Sequence, residues 1–422
     1  MHFLFLPYGT PGDVYPYVGI GVGLKNRGHR VTFITHTYFA DLLARYGLEH
    51  ADLNDLVQHR ATVFHPDYWH ATRGVNLGAD LLLNDGMRKQ YAHIERLYAP
   101  GQTIAVVTAL SYGAMIAAEK LGMPLIHTFI NPFLLPSISR TGVQPVHDWV
   151  RKALVFRWMR AAAARYIEFV FLDRIVIGPR MNKFRQELGL PPIRRLLKSY
   201  NELLKNVLGL YPRWLAEPIL DDWPAMHFTG FPFFDEPNAK VPPDLAEFLD
   251  AGDPPIAFSP GSATTDLKHF FEAAVFACQK LNRRGLVMTR FPEQLPLNLP
   301  PTVKYVPFAP HTLVLPRCAA VVSHGGVGTV AQGLRAGIPQ VCMPLSYDQP
   351  DIAERCRKLG VSRTLPPRRF TGSRLTRHLH ELLTDPAVRE QCQRLAASLV
   401  TDDPVREACD RIEEFAVREG VR

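Results

Sequence analysis

Apolar residues in this chain gather in short unbroken runs, each ended by a turn-forming cluster and followed by a longer stretch of helical character. A run too short for a helix and bounded by glycine, proline or aspartate is the pattern of a strand buried on both faces. Residues 2–6 (His-Phe-Leu-Phe-Leu) form the first run, Gly9-Thr10-Pro11-Gly12-Asp13 a tight loop, 16–27 a helix closed at Gly28, and 30–35 a second strand. This βαβ succession predicts a parallel sheet with its ligand crevice at the carboxyl ends of the strands. Further strands are expected at 103–108 and 124–129, flanking a helix 112–121 that Gly122 closes, with 206–211 as the last strand and 226–229 as a short edge piece. Gly19-Ile20-Gly21-Val22-Gly23 lies inside the first helix, where it reads as close packing; a dinucleotide fingerprint would put its glycines between strand and helix.

A second series of the same kind begins after Pro232, Pro237, Pro242 and Pro243, which punctuate a boundary. Strands are expected at 255–259, 285–289, 302–306, 319–323 and 340–343, with helices at 268–282, after Pro350, from Ser373 and from Pro386. The expected class is α/β, with two Rossmann-like domains facing across a cleft. Their bounds are 1–232 and 253–400, with a linker at 233–252 and a carboxyl-terminal helix at 401–422 returning to the first domain.

Between the strand and helix of this second series lies the turn His324-Gly325-Gly326-Val327-Gly328-Thr329. Glycines let backbone approach a ligand, and the helix that follows presents unpaired N–H groups at its positive end, so the turn suits a phosphate, with His324 as a further donor. Gly261-Ser262 is a second candidate of the same type. In the first series Asp13 stands where its loop meets its helix. Two readings hold there, an N-cap carboxylate and a general base facing the crevice.

Composition narrows the field modestly. The chain has 422 residues, 47% hydrophobic and 21% charged, which is enough apolar matter for two full cores and excludes a disordered chain. Its formal charge of +8 favours anionic ligands. The six cysteines form no Cys-x-x-Cys pair, which points to reduced thiols, a cytoplasmic protein and no zinc site. No Asp-x-Asp metal motif is present, so no metal or other cofactor is expected. The apolar segment 154–172 is broken by Arg157, Arg160, Arg165 and Glu168 and does not span a bilayer. The basic, aromatic-rich segment 151–205 suits either a solvated helical face or peripheral contact with an anionic inner-membrane surface, where a lipophilic substrate would gather. Nothing points to nucleic acid.

These residues resemble the GT-B glycosyltransferases of family 1, which move a sugar from a nucleotide to an acceptor hydroxyl with inversion, and the resemblance covers nearly the whole chain. Gly9-Thr10-Pro11-Gly12-Asp13-Val14 is similar to the amino-terminal loop of the sterol and glycopeptide members. Asp222-Trp223-Pro224, His227-Phe228-Thr229-Gly230-Phe231-Pro232 and Phe234-Asp235 are similar to the rhamnosyltransferases of rhamnolipid synthesis. The resemblance implies that His324 contacts the donor diphosphate, with Gly326, Gly328 and Thr329 cradling it and Ser262 reaching a phosphate. It places Phe308 against the nucleobase beside Ala309, with His311 where the family usually has glutamine, and it assigns Asp348 and Gln349 to the donor sugar. Two departures matter. Family members with a histidine base orient it with a separate aspartate, whereas here the loop carries Asp13 and Val107-Thr108-Ala109-Leu110 supplies no acid, so Asp13 itself is the expected base. Gln332 stands where users of UDP-sugars commonly have glutamate for the ribose hydroxyls, which favours dTDP over UDP although an amide still bonds a ribose.

The resulting expectation is an inverting, metal-independent hexosyltransferase taking rhamnose or glucose from a dTDP- or UDP-sugar to a lipophilic or phenolic alcohol. The alternatives are a sugar-nucleotide epimerase on the same scaffold and a non-catalytic nucleotide- or lipid-binding partner. A dehydrogenase lacks support, because neither βαβ turn has the dinucleotide glycine pattern.

Overall fold

The computed structural model describes all residues except 55–56, 58–60, 62–63, 66, 69–76, 78–80, 135–173, 175–176, 218, 220–222, 262–263 and 401–402. The apolar segment 154–172 and the amino-terminal part of the basic segment 151–205 therefore lie outside the described residues.

Two all-parallel sheets organise the chain. The first contains β1 (His2–Leu6), β2 (Arg30–Thr35), β3 (Glu49–Asp52), β4 (Thr103–Val107), β5 (Leu125–Phe129), β6 (Val207–Gly209) and β7 (His227–Phe228) in the order β3-β2-β1-β4-β5-β6-β7. The second contains β8 (Ile256–Ser259), β9 (Gly285–Met288), β10 (Val303–Val306), β11 (Ala320–Ser323), β12 (Gln340–Cys342) and β13 (Ser362–Thr364) in the order β10-β9-β8-β11-β12-β13. Strand alternation explains why the runs are apolar throughout. Phe3 and Phe5 enter the core that also holds Tyr17 and Leu24 of the first helix, whereas Leu4 and Leu6 enter a second core with Ala114 and Ala117 of the helix Tyr112–Leu121. With helices on both faces, no residue of β1 can be polar at low cost except His2, which bonds Thr32 at 2.8 Å.

Each sheet reverses its strand order once, between β1 and β4 in the first and between β8 and β11 in the second. At such a reversal the two connections leave in opposite directions and open a crevice at the carboxyl ends. Those ends carry the Gly9–Asp13 loop in one sheet and both glycine turns in the other.

The first helix runs Pro11–Asn26, starting before the expected residue 16, and Pro16 lies within it. Thr10 and Asp13 start it early by capping it, and Pro11 supplies the fixed φ favoured at a first helical position. Its glycine row serves packing, as expected. A Cβ at Gly21 would stand 2.7 Å from the Phe33 ring, and one at Gly23 would stand 2.7 Å from Cys409 Sγ of the helix Pro404–Arg418. That carboxyl-terminal helix thus lies on the first helix, and Arg27 pairs with Asp410 at 2.6 Å beside it. β3 and β13 have no apolar run to announce them; both are sheet-edge strands with polar residues. Residues 233–252 include a helix, Pro243–Asp250, whose Leu245 and Leu249 are buried with Ala257 and Leu286 of the second sheet. All six cysteines are buried free thiols. Among the described residues no helix is long and apolar enough to cross a membrane.

Candidate active site

Register decides where the His324 glycine turn sits. Ser323 pairs with Ser259 at the ends of β11 and β8, so the two segments leave the sheet side by side. His324 and Gly261 then meet: a Cβ on Gly261 would stand 2.8 Å from the imidazole, and Gly261 has a φ of +105° that a side chain would strain. Gly326 is as crowded, its missing Cβ falling 2.5 Å from His324 Nε2. Gly325, at φ +82°, turns the chain and donates its N–H to Ser323 Oγ at 3.1 Å. The helix Val327–Arg335 follows directly, carrying Gly328, Thr329 and Gln332. Gln332 Oε1 is a buried acceptor with no partner among the described residues. Ser262 lies outside the described residues.

His311 opens the short helix His311–Val314, and its Nε2 lies 3.2 Å from Ser259 Oγ. Burial lowers the pKa of His311 to about 4, and burial together with His311 does the same for His324. Both imidazoles are therefore neutral at pH 7 in this state, so His324 brings a hydrogen bond rather than a positive charge. Ala309 is buried beneath the same loop, while the Phe308 ring beside it is 60% exposed, with the Arg290 guanidinium 5.7 Å from its centroid. The ring thus presents an apolar face to solvent just past the carboxyl end of β10.

Across the cleft, Asp13 sits in the first turn of the first helix. Its Oδ2 accepts the Thr10 N–H at 2.7 Å and the Thr10 hydroxyl at 2.9 Å. The N-cap is thus Thr10 and not Asp13, which sits at the third helical position and bonds back to it, and these bonds leave Oδ1 uncommitted. Burial raises its pKa, against the two Thr10 hydrogen bonds that lower it. Gly12 faces Gly328, and a Cβ on Gly328 would stand 3.1 Å from Gly12 Cα. The two helices thus meet at their amino-terminal ends through paired glycines.

Asp348 immediately precedes the helix Gln349–Lys358. Its pKa is raised to about 7, first by burial and then by the charge of Asp13, so the two carboxylates sense each other across the cleft. Gln349 is buried, and its Oε1 accepts the N–H groups of Leu345 at 2.8 Å and Ser346 at 3.2 Å. Its carbonyl oxygen therefore shapes the loop, and its amide NH₂ is the part left for a ligand.

Residues outside the expected set complete the cleft. Asn131, just past β5, donates its Nδ2 to Asp348 Oδ2 at 3.0 Å. Tyr347, at φ +56°, donates its hydroxyl to the Tyr68 carbonyl at 2.9 Å. Arg290 donates to the Tyr38 hydroxyl at 2.9 Å. Asn131 and Arg290 follow strands closely, and a search of every strand's carboxyl end would have found them. Tyr347 has no comparable signal, because its backbone conformation is set by the loop that Gln349 ties down.

Two Rossmann-like domains bring the His324 glycine turn, the exposed Phe308 ring and the carboxyls of Asp13 and Asp348 to the ends of their strands. Comparison with known proteins supplies the class. Residues 3–139 match the glycosyltransferase family 28 N-terminal domain, and residues 287–415 match the erythromycin biosynthesis protein CIII-like C-terminal domain. The chain is 29% identical to an O-mycaminosyltylonolide 6-deoxyallosyltransferase of Streptomyces fradiae, over 99% of this chain and 98% of that protein. It is 27% identical to a sterol 3-beta-glucosyltransferase of Candida albicans over 91% of this chain, but spans only 26% of that longer protein. Among solved structures it superposes on the kitacinnamycin glycosyltransferase with a TM-score of 0.72 (24% identity, 98% of each chain). It superposes on the glycosyltransferase VinC in complex with dTDP with a TM-score of 0.68 (20% identity, 99% of this chain and 100% of that one). The chain has the GT-B fold and is an enzyme, a glycosyltransferase acting on nucleotide-sugar donors.

Proposed function

We propose that this enzyme transfers a hexose, rhamnose or glucose, from a dTDP- or UDP-sugar to a hydroxyl of a lipophilic or phenolic small molecule, with inversion and without a metal. The observation that carries the reading is the juxtaposition of Asp13 with the donor turn through the Gly12–Gly328 contact. It brings the loop that carries Asp13 in one domain up to the glycine turn of the other, which supports a base and a leaving group acting on opposite faces of one anomeric carbon held between the domains.

In this mechanism Asp13 takes the acceptor hydroxyl's proton as that oxygen bonds the anomeric carbon, and the nucleoside diphosphate departs with the bonding electrons. The raised pKa of Asp13 makes it a stronger base than an ordinary aspartate, while Thr10 holds it in place. The N–H groups at the start of Val327–Arg335 and the His324 ring meet the charge growing on the diphosphate. Phe308 stacks on the base, with Ala309 and His311 forming the wall beneath it, and Thr329 and the described glycines line the phosphates. Asp348 and the Gln349 amide group bond sugar hydroxyls, and Gln332, whose Oε1 has no partner among the described residues, faces the pentose. A glutamine there supports dTDP, the nucleotide held by VinC. The macrolide and sterol substrates in the relatives' names support a bulky, largely apolar alcohol as acceptor. Gathering such a substrate at the inner face of a membrane fits the basic character of segment 151–205.

The deciding experiment incubates the protein with dTDP- and UDP-linked glucose and rhamnose, with and without macrolide, sterol and phenolic acceptors. Nucleoside diphosphate released only when an acceptor is present, with a glycosylated product, is the expected result. An altered sugar nucleotide formed without acceptor would establish an epimerase, and binding without turnover a non-catalytic role. Loss of activity on chelation, restored by added metal, would overturn the metal-independent step.

A further inference from the structure

Asn131 is a buried polar residue that the mechanism above leaves unused. It is 1% exposed, belongs to the first domain, and makes its one side-chain hydrogen bond among the described residues across the cleft, to a carboxylate of the second. Its Oδ1 has no partner among the described residues. Nothing else described there orients its amide, and the 3.0 Å contact with an ionised Asp348 requires that the nitrogen face the carboxylate. A buried amide oxygen left unpaired is costly, so the hydrogen bond to Asp348 is what its amide gains in this place.

Asp348 needs such a partner. The charged groups acting on it are Asp13, on the first helix, and Asp351, on its own helix and tied to Arg355 at 2.7 Å. Both carboxylates oppose its ionisation, as burial does, and its own backbone N–H is the one opposing influence among these causes. A carboxylate in that position is prone to turn away from like charge or to take up a proton, and a neutral donor on one oxygen favours the held, ionised form.

We propose that Asn131 is a positioning residue for the donor sugar: from the acceptor domain it fixes the Asp348 carboxylate, so that the sugar is read correctly only when the two domains are together. The inference rests on Asp348 as the sugar-binding carboxylate of the proposed function. It explains why an uncharged amide stands here. A lysine or arginine would neutralise Asp348 and compete with the sugar hydroxyls, whereas Asn131 donates one hydrogen bond and leaves the charge.

Calorimetry on the full-length protein with dTDP, dTDP-glucose, UDP and UDP-glucose tests this. Asn131→Ala should weaken sugar-nucleotide binding by about tenfold or more, the loss expected for a hydrogen bond to a charged group, and leave dTDP and UDP binding unchanged. Asn131→Asp, nearly identical in shape, should weaken it further at pH 8 and recover as the pH falls to 5.5, because one proton shared between the two acids remakes the bond. The double variant Asn131→Asp, Asp348→Asn restores a donor and acceptor with their roles exchanged, and should recover thermal stability without recovering the preference for sugar nucleotides. Equal losses for nucleotides and sugar nucleotides, or no loss in folded Asn131→Ala, would overturn the positioning role. Failure of the wild type to bind any of the four probes would instead sink the functional reading, and this inference with it.

Discussion

Asp13→Asn separates the two duties that the structure gives this residue. The cap uses Oδ2 as acceptor for the Thr10 N–H at 2.7 Å and hydroxyl at 2.9 Å, and an asparagine carbonyl oxygen can accept both. The helix start should therefore survive. The charge does not, and with it goes the proton acceptor, a contribution of roughly 10²–10⁴-fold to turnover for general-base catalysis. Because burial opposes ionisation of Asp13, removing its charge should leave the melting temperature at or above that of the wild type at pH 8. Thr10→Val provides the graded version. It deletes one of two hydrogen bonds that lower the Asp13 pKa, so the acidic limb of the rate profile should move to higher pH, the base being protonated over a wider range. The assay is nucleoside diphosphate release against pH, with dTDP affinity measured in parallel. Asp13→Asn with turnover near wild type, or a loss of rate accompanied by an equal loss of dTDP affinity, would refute the reasoning.

Two other perturbations test the cleft. Gly328→Ala places a methyl group 3.1 Å from Gly12 Cα, backbone that cannot rotate aside, so the helix ends must separate. The expected result is a loss of roughly 1–3 kcal/mol of stability and a large fall in transfer rate, with unchanged rate showing that the contact does not matter. Asp348 has a folded pKa of about 7, above its unfolded value, so its stabilising contribution is complete below the unfolded pKa and is lost as pH rises through 7. Asp348→Asn should consequently gain on the wild type in thermal stability between pH 5 and pH 8, by on the order of 1–3 kcal/mol. Taking this as a difference between variants cancels the opposite slope from buried His127, His311 and His324, whose pKa values lie at about 4. A gap that does not change with pH would contradict the burial of that carboxylate.

Much of the fold and part of the site were legible in the sequence, for a definite reason. A strand buried on both faces has to be apolar throughout, and its turn has to carry glycine where backbone closes on a ligand. Hence β1, β4, β8 and β11 and the His324 turn stood out in the chain, along with the α/β class and the glycine packing of the first helix. The edge strands β3 and β13, largely polar, meet no such demand on composition and left no trace. Residue chemistry likewise marked Asp13 and His324 as candidates, and the family resemblance marked Asp348. It did not reveal that Gln349 spends its carbonyl oxygen on the Leu345 and Ser346 N–H groups, that Gly12 faces Gly328, or that Asn131 reaches Asp348. The last two depend on segments far apart in sequence meeting at the ends of two different sheets, and the first on how one loop closes. Local pattern determines which residues form a strand, a turn or a cap, because those forces act within a few residues. Which carboxylate shares a cleft with which amide, and how strongly each resists ionisation, depends on burial and on distances between domains, and only the tertiary structure decided that.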